Sequence, residues 1–340
     1  MIDTNTFQNV FGKFELGQDI VEYQLIQETS DIYDEKLIYF VKNSENKCYV
    51  CRYYYGGHYS ESVIEQQSNF AMTLYKNGII TPLKYKHNGH YCIKILINNK
   101  MYLVTLEDYL SGQSFEMSPQ LFGKLGRLLG KLHSISENNP TKINYSIIDD
   151  GFKSGTAKFD KILNKAVKPI IKNETIYQIS KTHDGLVNEL MKEWWMLPKG
   201  SVNGDLSVFN NIIDVNHEIG IIDFDLAGNE TYLGDMLITF YSSLYQCFTV
   251  SEKYLHQIQE ISKQYFDEYC SQRKLTEIEL SIFSKTAALF DGLYFCKMIV
   301  DEWNYTQNES ILKKIDEAHR YFDVSLHDFI SVRESSYIYN

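Results

Sequence analysis

Asp205, Asn210 and Asp223 lie in one stretch, SVNGDLSVFNNIIDVNHEIGIIDFDLAGNETYLGDML, and bring two carboxylates and an amide within reach of one another. Hard oxygen ligands that leave most of a coordination sphere to water and phosphate are what Mg²⁺ takes in nucleotide sites. Asn211–Val215 and Ile219–Ile222 read as two short strands around a turn at Asn216-His217-Glu218. A hairpin centred on His217 sets Asn210 roughly opposite Asp223 or Phe224, with Asp205 in the loop just before. Phosphoryl transfer needs a carboxylate to orient and deprotonate a hydroxyl, ligands for a metal on the phosphates, and a cation on those phosphates. Asp205, the Asn210 and Asp223 pair, and Arg52 supply all three. A lone aspartate in a loop is usually a turn or cap residue; it is the set of three at this spacing that points to chemistry. Asp225 alternates away from Asp223 if the strand persists, which leaves it a supporting role.

The elements that position these residues fall into two kinds. The first hundred residues hold the runs VEYQLI, KLIYFV, KCYVCRYYY, HYCIKILI and KMYLVTL, separated by turn signals at Lys42–Lys47 and Asn98-Asn99-Lys100. That pattern predicts antiparallel hairpins. One segment has a helical period: Val63, Gln67, Phe70 and Leu74 recur on one face, Ser62 with Glu65 has the form of a capping box, and Asn77-Gly78 ends it. Past Ser111-Gly112 the character changes. Ser118-Pro119 opens an amphipathic helix with Leu121, Leu125, Leu128, Leu129 and Leu132 on one stripe, and helical patterns follow at 158–172, 181–196, 235–247, 252–272, 275–303 and 307–331. The expected class is α+β and bilobal: a β-rich lobe with one inserted helix over 1–107, a hinge at 108–112, and a helical lobe over 113–340.

Composition narrows the partners. The chain has 340 residues, 44% of them hydrophobic, enough for a substantial core, and a net charge of −11 that disfavours nucleic acid and favours a cationic small molecule. The first residues lack the pattern of a signal peptide and no run approaches a membrane span, so a cytoplasmic protein without membrane contact is expected. The six cysteines read as free thiols. Cys48 and Cys51 form a CxxC on a strand, where they point to opposite faces and no second pair answers them. The histidines show no metal-ligand spacing, and His133 at the end of the leucine helix reads as a packed, hydrogen-bonded residue. Tyr53–Gly57 reads as a strand end with a turn. No P-loop is present. Asp291, Glu302 and Trp303 on the late helices read as solvated residues that could line a cleft.

Gly204-Asp205-Leu206-Ser207-Val208-Phe209-Asn210 followed by Ile222-Asp223-Phe224-Asp225 resembles the GDxxxxN and IDF pair of the aminoglycoside phosphotransferase and choline kinase superfamily, which is related to protein kinases. Leu128-Gly130-Leu132-His133 resembles that family's L-x-G-x-L-H helix ending, and Asp235 falls where it has a structural aspartate. The resemblance extends from about residue 35 to 245. It implies a protein-kinase-like fold, ATP as donor with GTP left open, and Mg²⁺. It further implies that Asp205 is the catalytic base, that Asn210 and Asp223 hold metal, that Arg52 contacts the nucleotide phosphates, and that Asp108, Tyr109 and Leu110 form the adenine-pairing hinge. The acceptor would be a hydroxyl of an aminoglycoside-like molecule, an amino alcohol or a sugar. Oligomeric state is not legible.

Three positions depart from the family pattern. Asn203 replaces a largely architectural histidine and is expected to take over its hydrogen bonds. Arg52 replaces the usual lysine with a rigid guanidinium. Gln66 and Gln67 stand where a glutamate normally pairs with that cation; Gln67, on the inward stripe, is expected to accept from Arg52, with Glu65 as its rival. Two further readings stand beside the small-molecule kinase: a Ser/Thr protein kinase of the bacterial stress-response type, and a nucleotide-binding pseudokinase, against which the retained Asp205, Asn210 and Asp223 argue.

Overall fold

Each of the five β-branched and aromatic runs forms a strand: β1 (Ile20–Ser30), β2 (Glu35–Asn43), β3 (Cys48–Tyr55), β4 (Cys92–Ile97) and β5 (Lys100–Asp108). They pair antiparallel in the order β1-β2-β3-β5-β4. Between β4 and β5, Asn98 and Asn99 both take positive φ (49° and 63°), the conformation a two-residue hairpin demands and asparagine tolerates. The computed structural model describes residues 2–16, 19–30, 34–57, 59–115, 118–146, 148, 185–248 and 257–306. The helical stretches expected at 158–172 and 307–331 lie outside the described residues.

The chain divides into two units, one made of Met1–Gly112 with Gly220–Asp225, the other of Gln113–Ile219 and, from Leu226 onward, the remaining described residues. In the first, Tyr39, Val41, Tyr49, Cys51, Tyr53, Val104 and Leu106 bury one sheet face together with Phe7, Val10 and Phe11 of helix α1 (Thr4–Lys13). Helix α1 adds an element that the strand reading passed over, although Phe7, Val10, Phe11 and Phe14 have helical spacing. Its N-cap, Asp3, accepts from the Thr6 amide at 2.8 Å. Helix α2 spans Glu61–Lys76 and begins at Ser60, so the expected capping box does not form. Ser62 instead accepts from the Gln66 amide, and the Glu65 carboxylate takes the backbone N–H of Cys92 at 2.7 Å. A strand N–H has won the carboxylate from the helix end. The buried stripe runs through Ile64, Gln67, Phe70, Ala71 and Leu74, and so keeps Gln67 inward.

In the second unit β6 (Gln113–Ser114) leads to α3 (Pro119–Asn138), capped by Ser118, whose hydroxyl accepts from the Leu121 amide at 3.2 Å. A helical stretch over 185–194 precedes β7 (Lys199–Val202); β8 (Asn211–Ile213), β9 (Ile219–Ile221) and β10 (Gly228–Thr231) follow. Then come α4 (Tyr232–Phe248), α5 (Ile258–Gln272) and α6 (Glu277–Thr306). β7 pairs with β10, and β6 with β8. Helices α3 and α5 approach closely: a Cβ on Gly130 would sit 2.5 Å from the Tyr269 carbonyl, which explains the glycine of the L-x-G-x-L-H ending. Among the described residues no helix is long and apolar enough to cross a membrane.

Candidate active site

Strand β7 delivers the chain to Asn203, Gly204 and Asp205. Asn203 is buried, and its side-chain oxygen accepts the Asp205 N–H at 3.2 Å. Gly204 has φ of 80°, and a Cβ there would lie 2.3 Å from the Leu226 carbonyl, so no other residue fits. Its N–H donates to Asp235 Oδ1 at 3.0 Å. Asp235, in the first turn of α4, turns its other oxygen to His133 Nε2 at 2.9 Å, and the Tyr269 hydroxyl lies 2.7 Å from His133 Nδ1. These partners dictate one tautomer, with Nε2 donating to Asp235 and Nδ1 accepting from Tyr269. Burial holds the imidazole below its ordinary pKa despite the attraction of Asp235. Arg273 extends the chain, donating to Tyr269 and pairing with buried Glu279.

Past Asp205 the loop turns back through the 3₁₀ turn Val208–Asn210. The Asn210 amide donates to both the carbonyl and the carboxylate of Asp205, each at 2.8 Å. Donation by its nitrogen leaves the Asn210 amide oxygen to face a different partner. The hairpin turn follows as read: the Asp214 N–H donates to the Glu218 carbonyl at 2.9 Å, and His217 takes φ of 61°. Asp291 on α6 is a correction to the sequence reading. It is buried and accepts from the Tyr245 hydroxyl of α4. On the same helix, the charge of Asp205 helps raise the pKa of Tyr294, after burial itself.

The first unit gathers a second cluster around Arg52. The guanidinium Nε donates to Glu107 on β5 at 3.1 Å, Nη2 donates to the Ile222 carbonyl at 2.9 Å, and Nη1 lies 3.4 Å from Asp223 and 3.6 Å from Asp225. Lys84 also pairs with Glu107. Burial pushes Glu107 up, but Lys84 and Arg52 outweigh it and hold the carboxyl below its usual range. Strand β9 ends at Ile221, so Asp225 does not alternate away. Its N–H donates to Asp223 Oδ1 at 3.0 Å in a tight turn that brings both carboxylates to the same cations. Lys36 pairs with Asp225 and lies 3.8 Å from Asp223, and the Tyr54 hydroxyl donates to Asp225 at 2.9 Å.

Gln67 behaves otherwise than expected. Its amide nitrogen donates to the Asp225 carbonyl at 2.8 Å, while the acids that meet Arg52 are Glu107, Asp223 and Asp225 rather than Glu65. A cross-strand carboxylate beside the guanidinium fixes the fork, and the Gln67 donor is then free to hold the segment that carries the aspartates. Lys36, Tyr54, Lys84 and Glu107 were not among the expected site residues. Glu107 carried a signal, as a charged residue within the buried run of β5.

Asp223 and Asp225 fit a hard divalent cation: their oxygens converge, they keep 23% and 22% exposure, and an ammonium already stands on them in the place of an ion. Among the described residues no group of three or more His, Cys, Asp or Glu side chains could hold a metal, so an ion at this pair needs oxygens from elsewhere. Cys48 and Cys51 do not compete as ligands: Cys51 is buried, and burial pushes its thiol up to about 12. In the hinge segment the Asp108 N–H donates to Leu83 and the Tyr109 N–H to Cys48, each at 2.9 Å, and the Asp108 carboxylate accepts from Tyr85 at 2.7 Å.

Comparison with known proteins gives a concordant result. The model of a family described as "Phosphotransferase enzyme family" matches residues 35–267. An amicoumacin kinase, solved in complex with AMP-PNP, Ca²⁺ and Ami, is 16% identical with a TM-score of 0.63, over 95% of this chain and 96% of that one. A microcompartment-associated aminopropanol kinase is 15% identical with a TM-score of 0.63, over 95% of each chain. An aminoglycoside phosphotransferase from Alicyclobacillus acidocaldarius is 12% identical with a TM-score of 0.61, over 90% of this chain and 93% of that one. At these identities the likeness is one of fold. No curated protein matches the chain.

Proposed function

The chain belongs to the phosphotransferase enzyme family, and on that premise we propose that it moves the terminal phosphate of ATP to a hydroxyl of an amine-bearing small molecule. The observation that carries this reading is the double grip of Asn210 on Asp205. It fixes the carboxylate in its acceptor form, ready to orient a hydroxyl and take its proton. Asp205 is thus the base. Asn210, through its amide oxygen, and Asp223, with Asp225 beside it, are the residues to hold divalent metal. When bound, such an ion neutralises charge on the transferred phosphoryl group. Arg52 holds the Ile222–Asp225 segment with Nη2 on the Ile222 carbonyl and Nη1 beside Asp223 and Asp225, while Nε is tied to Glu107, and its guanidinium is the cation proposed to meet phosphate. Asp108 and Tyr109 fix the hinge backbone through their own N–H bonds, so that Leu110 presents the next N–H to adenine.

Helix α6 supplies groups suited to the acceptor end. Asp291 is a buried carboxylate, Tyr294 on the same helix feels the charge of Asp205, and the whole chain is acidic. A buried carboxylate on the helix that carries Tyr294 suits an ammonium group on the alcohol. The test is ATP turnover against a panel of amino alcohols, aminoglycosides and sugars, with wild type and Asp205→Asn. Wild type is expected to turn over at least one amine-bearing alcohol, and the variant to lose about 10²–10⁴-fold in kcat with its melting temperature kept. Turnover by the variant within tenfold of wild type would remove Asp205 as base. Label appearing only on protein would remove the small-molecule acceptor.

A further inference from the structure

Lys36 has no part in the reading above, yet its ammonium occupies the position on Asp223 and Asp225 that a metal would take. It is the second residue of β2, opposite Tyr54 on β3. Arg52 beside it is 7% exposed and tied by Glu107 and the Ile222 carbonyl, whereas Lys36 keeps 13% exposure and pairs with the two aspartates. A guanidinium held in that way cannot leave; a compact charge on a flexible four-carbon stem can.

The charges of the cluster make the same point. Arg52, Lys36 and Lys84 balance Glu107, Asp223 and Asp225. A dication added to that set leaves it two charges in excess, so Lys36 and a metal cannot both keep the aspartates in a partly desolvated site. Phosphate oxygens, which fill the remaining coordination positions of such an ion, supply the missing negative charge within reach of the same side chain.

We infer that Lys36 is a displaceable counter-ion: it holds Asp223 and Asp225 while the site lacks metal, then yields them and moves onto the nucleotide phosphates. This rests on the phosphotransferase reading of the site and deepens it. The exchange is non-covalent, and its consequence is a change of sign. Without nucleotide Lys36 competes with metal. With nucleotide it helps. A lysine that merely supported the fold would shift both bindings in the same direction.

The experiment measures Mn²⁺ binding by electron paramagnetic resonance, and binding of a Mn²⁺-loaded non-hydrolysable ATP analogue by calorimetry, for the full chain as wild type, Lys36→Met, Lys36→Gln and Lys36→Arg. Either neutral variant is expected to bind bare Mn²⁺ about tenfold more tightly and the loaded nucleotide about tenfold more weakly, with Lys36→Arg close to wild type for the nucleotide. The second neutral variant serves if the first does not fold. Neutral variants that weaken both bindings, or change neither, would overturn the inference while leaving the phosphotransferase reading intact. Wild type that binds neither metal nor nucleotide would overturn both.

Discussion

The two polar clusters of this chain use similar groups in opposite ways. In the second unit, His133, Asp235, Tyr269, Arg273 and Glu279 form a buried line of hydrogen bonds that ends on the backbone of Gly204. In the first, Arg52, Lys36, Asp223 and Asp225 meet with the two aspartates still about a fifth exposed. A fully buried set with its donors and acceptors matched is costly to open, because each broken partner leaves an unsatisfied group in a low dielectric. A partly exposed set held by ion pairs can exchange one cation for another. The first arrangement suits a part that must keep its shape, the second a part that must accept something and let it go.

The comparison can be broken most directly at Asp235. Asp235→Ala strands both the His133 imidazole and the Gly204 N–H, and at about 1–3 kcal/mol for each unsatisfied donor a loss of several kcal/mol in urea denaturation is expected. A loss under about 1 kcal/mol would mean that this line is no lock. Gly204→Ala comes next. It forces an L-residue to positive φ, at about 1–2 kcal/mol, and drives a methyl into the Leu226 carbonyl, so denaturation should show at least that loss and turnover should fall with it.

Titration sharpens the same contrast. Because the folded pKa of His133 is depressed, its contribution to stability is full above the unfolded value of 6.5 and falls as pH drops beneath it. Melting temperature followed from neutral into mildly acid solution should therefore decline, and His133→Gln should flatten that limb. An unchanged limb would place the acid sensitivity elsewhere. The smallest effect is expected at Asp225→Asn, about 1 kcal/mol, since an amide oxygen can still accept from Tyr54 and Asp223 remains beside both cations. A cost there equal to that of Asp235→Ala would erase the distinction between the clusters.

The sheet was legible because five runs of β-branched and aromatic residues were cut by asparagine turns, and α3 because a leucine stripe followed a Ser-Pro start. The fold class and the family likewise stood in the sequence. What escaped it depended on competition between partners distant in the chain. Glu65 had a credible local role as a cap, but the amide of Cys92 claimed it. Asp225 was assigned the far face on the assumption of a continuing strand, and the strand stopped at Ile221. Gln67 was expected to serve Arg52, and a cross-strand glutamate took that place. Lys36 carried no motif at all; only the fold brings it to Asp225. Local pattern marks elements well, whereas the choice among several acceptors for one donor is made by tertiary packing.

Gly220–Asp225 packs with residues from the first third of the chain, joined by the Ile221 N–H on the Ile80 carbonyl and by the bonds of Arg52 and Gln67. During synthesis, then, the opening sheet emerges with its arginine lacking two of the acids it will meet, and waits for more than a hundred further residues before they arrive. Early release of the chain short of residue 220 would leave a finished-looking sheet around an incompletely neutralised cation. Completion of the first part of this protein is thus timed by the last strand of the hairpin, and a folding defect in the middle of the chain will be felt at its beginning.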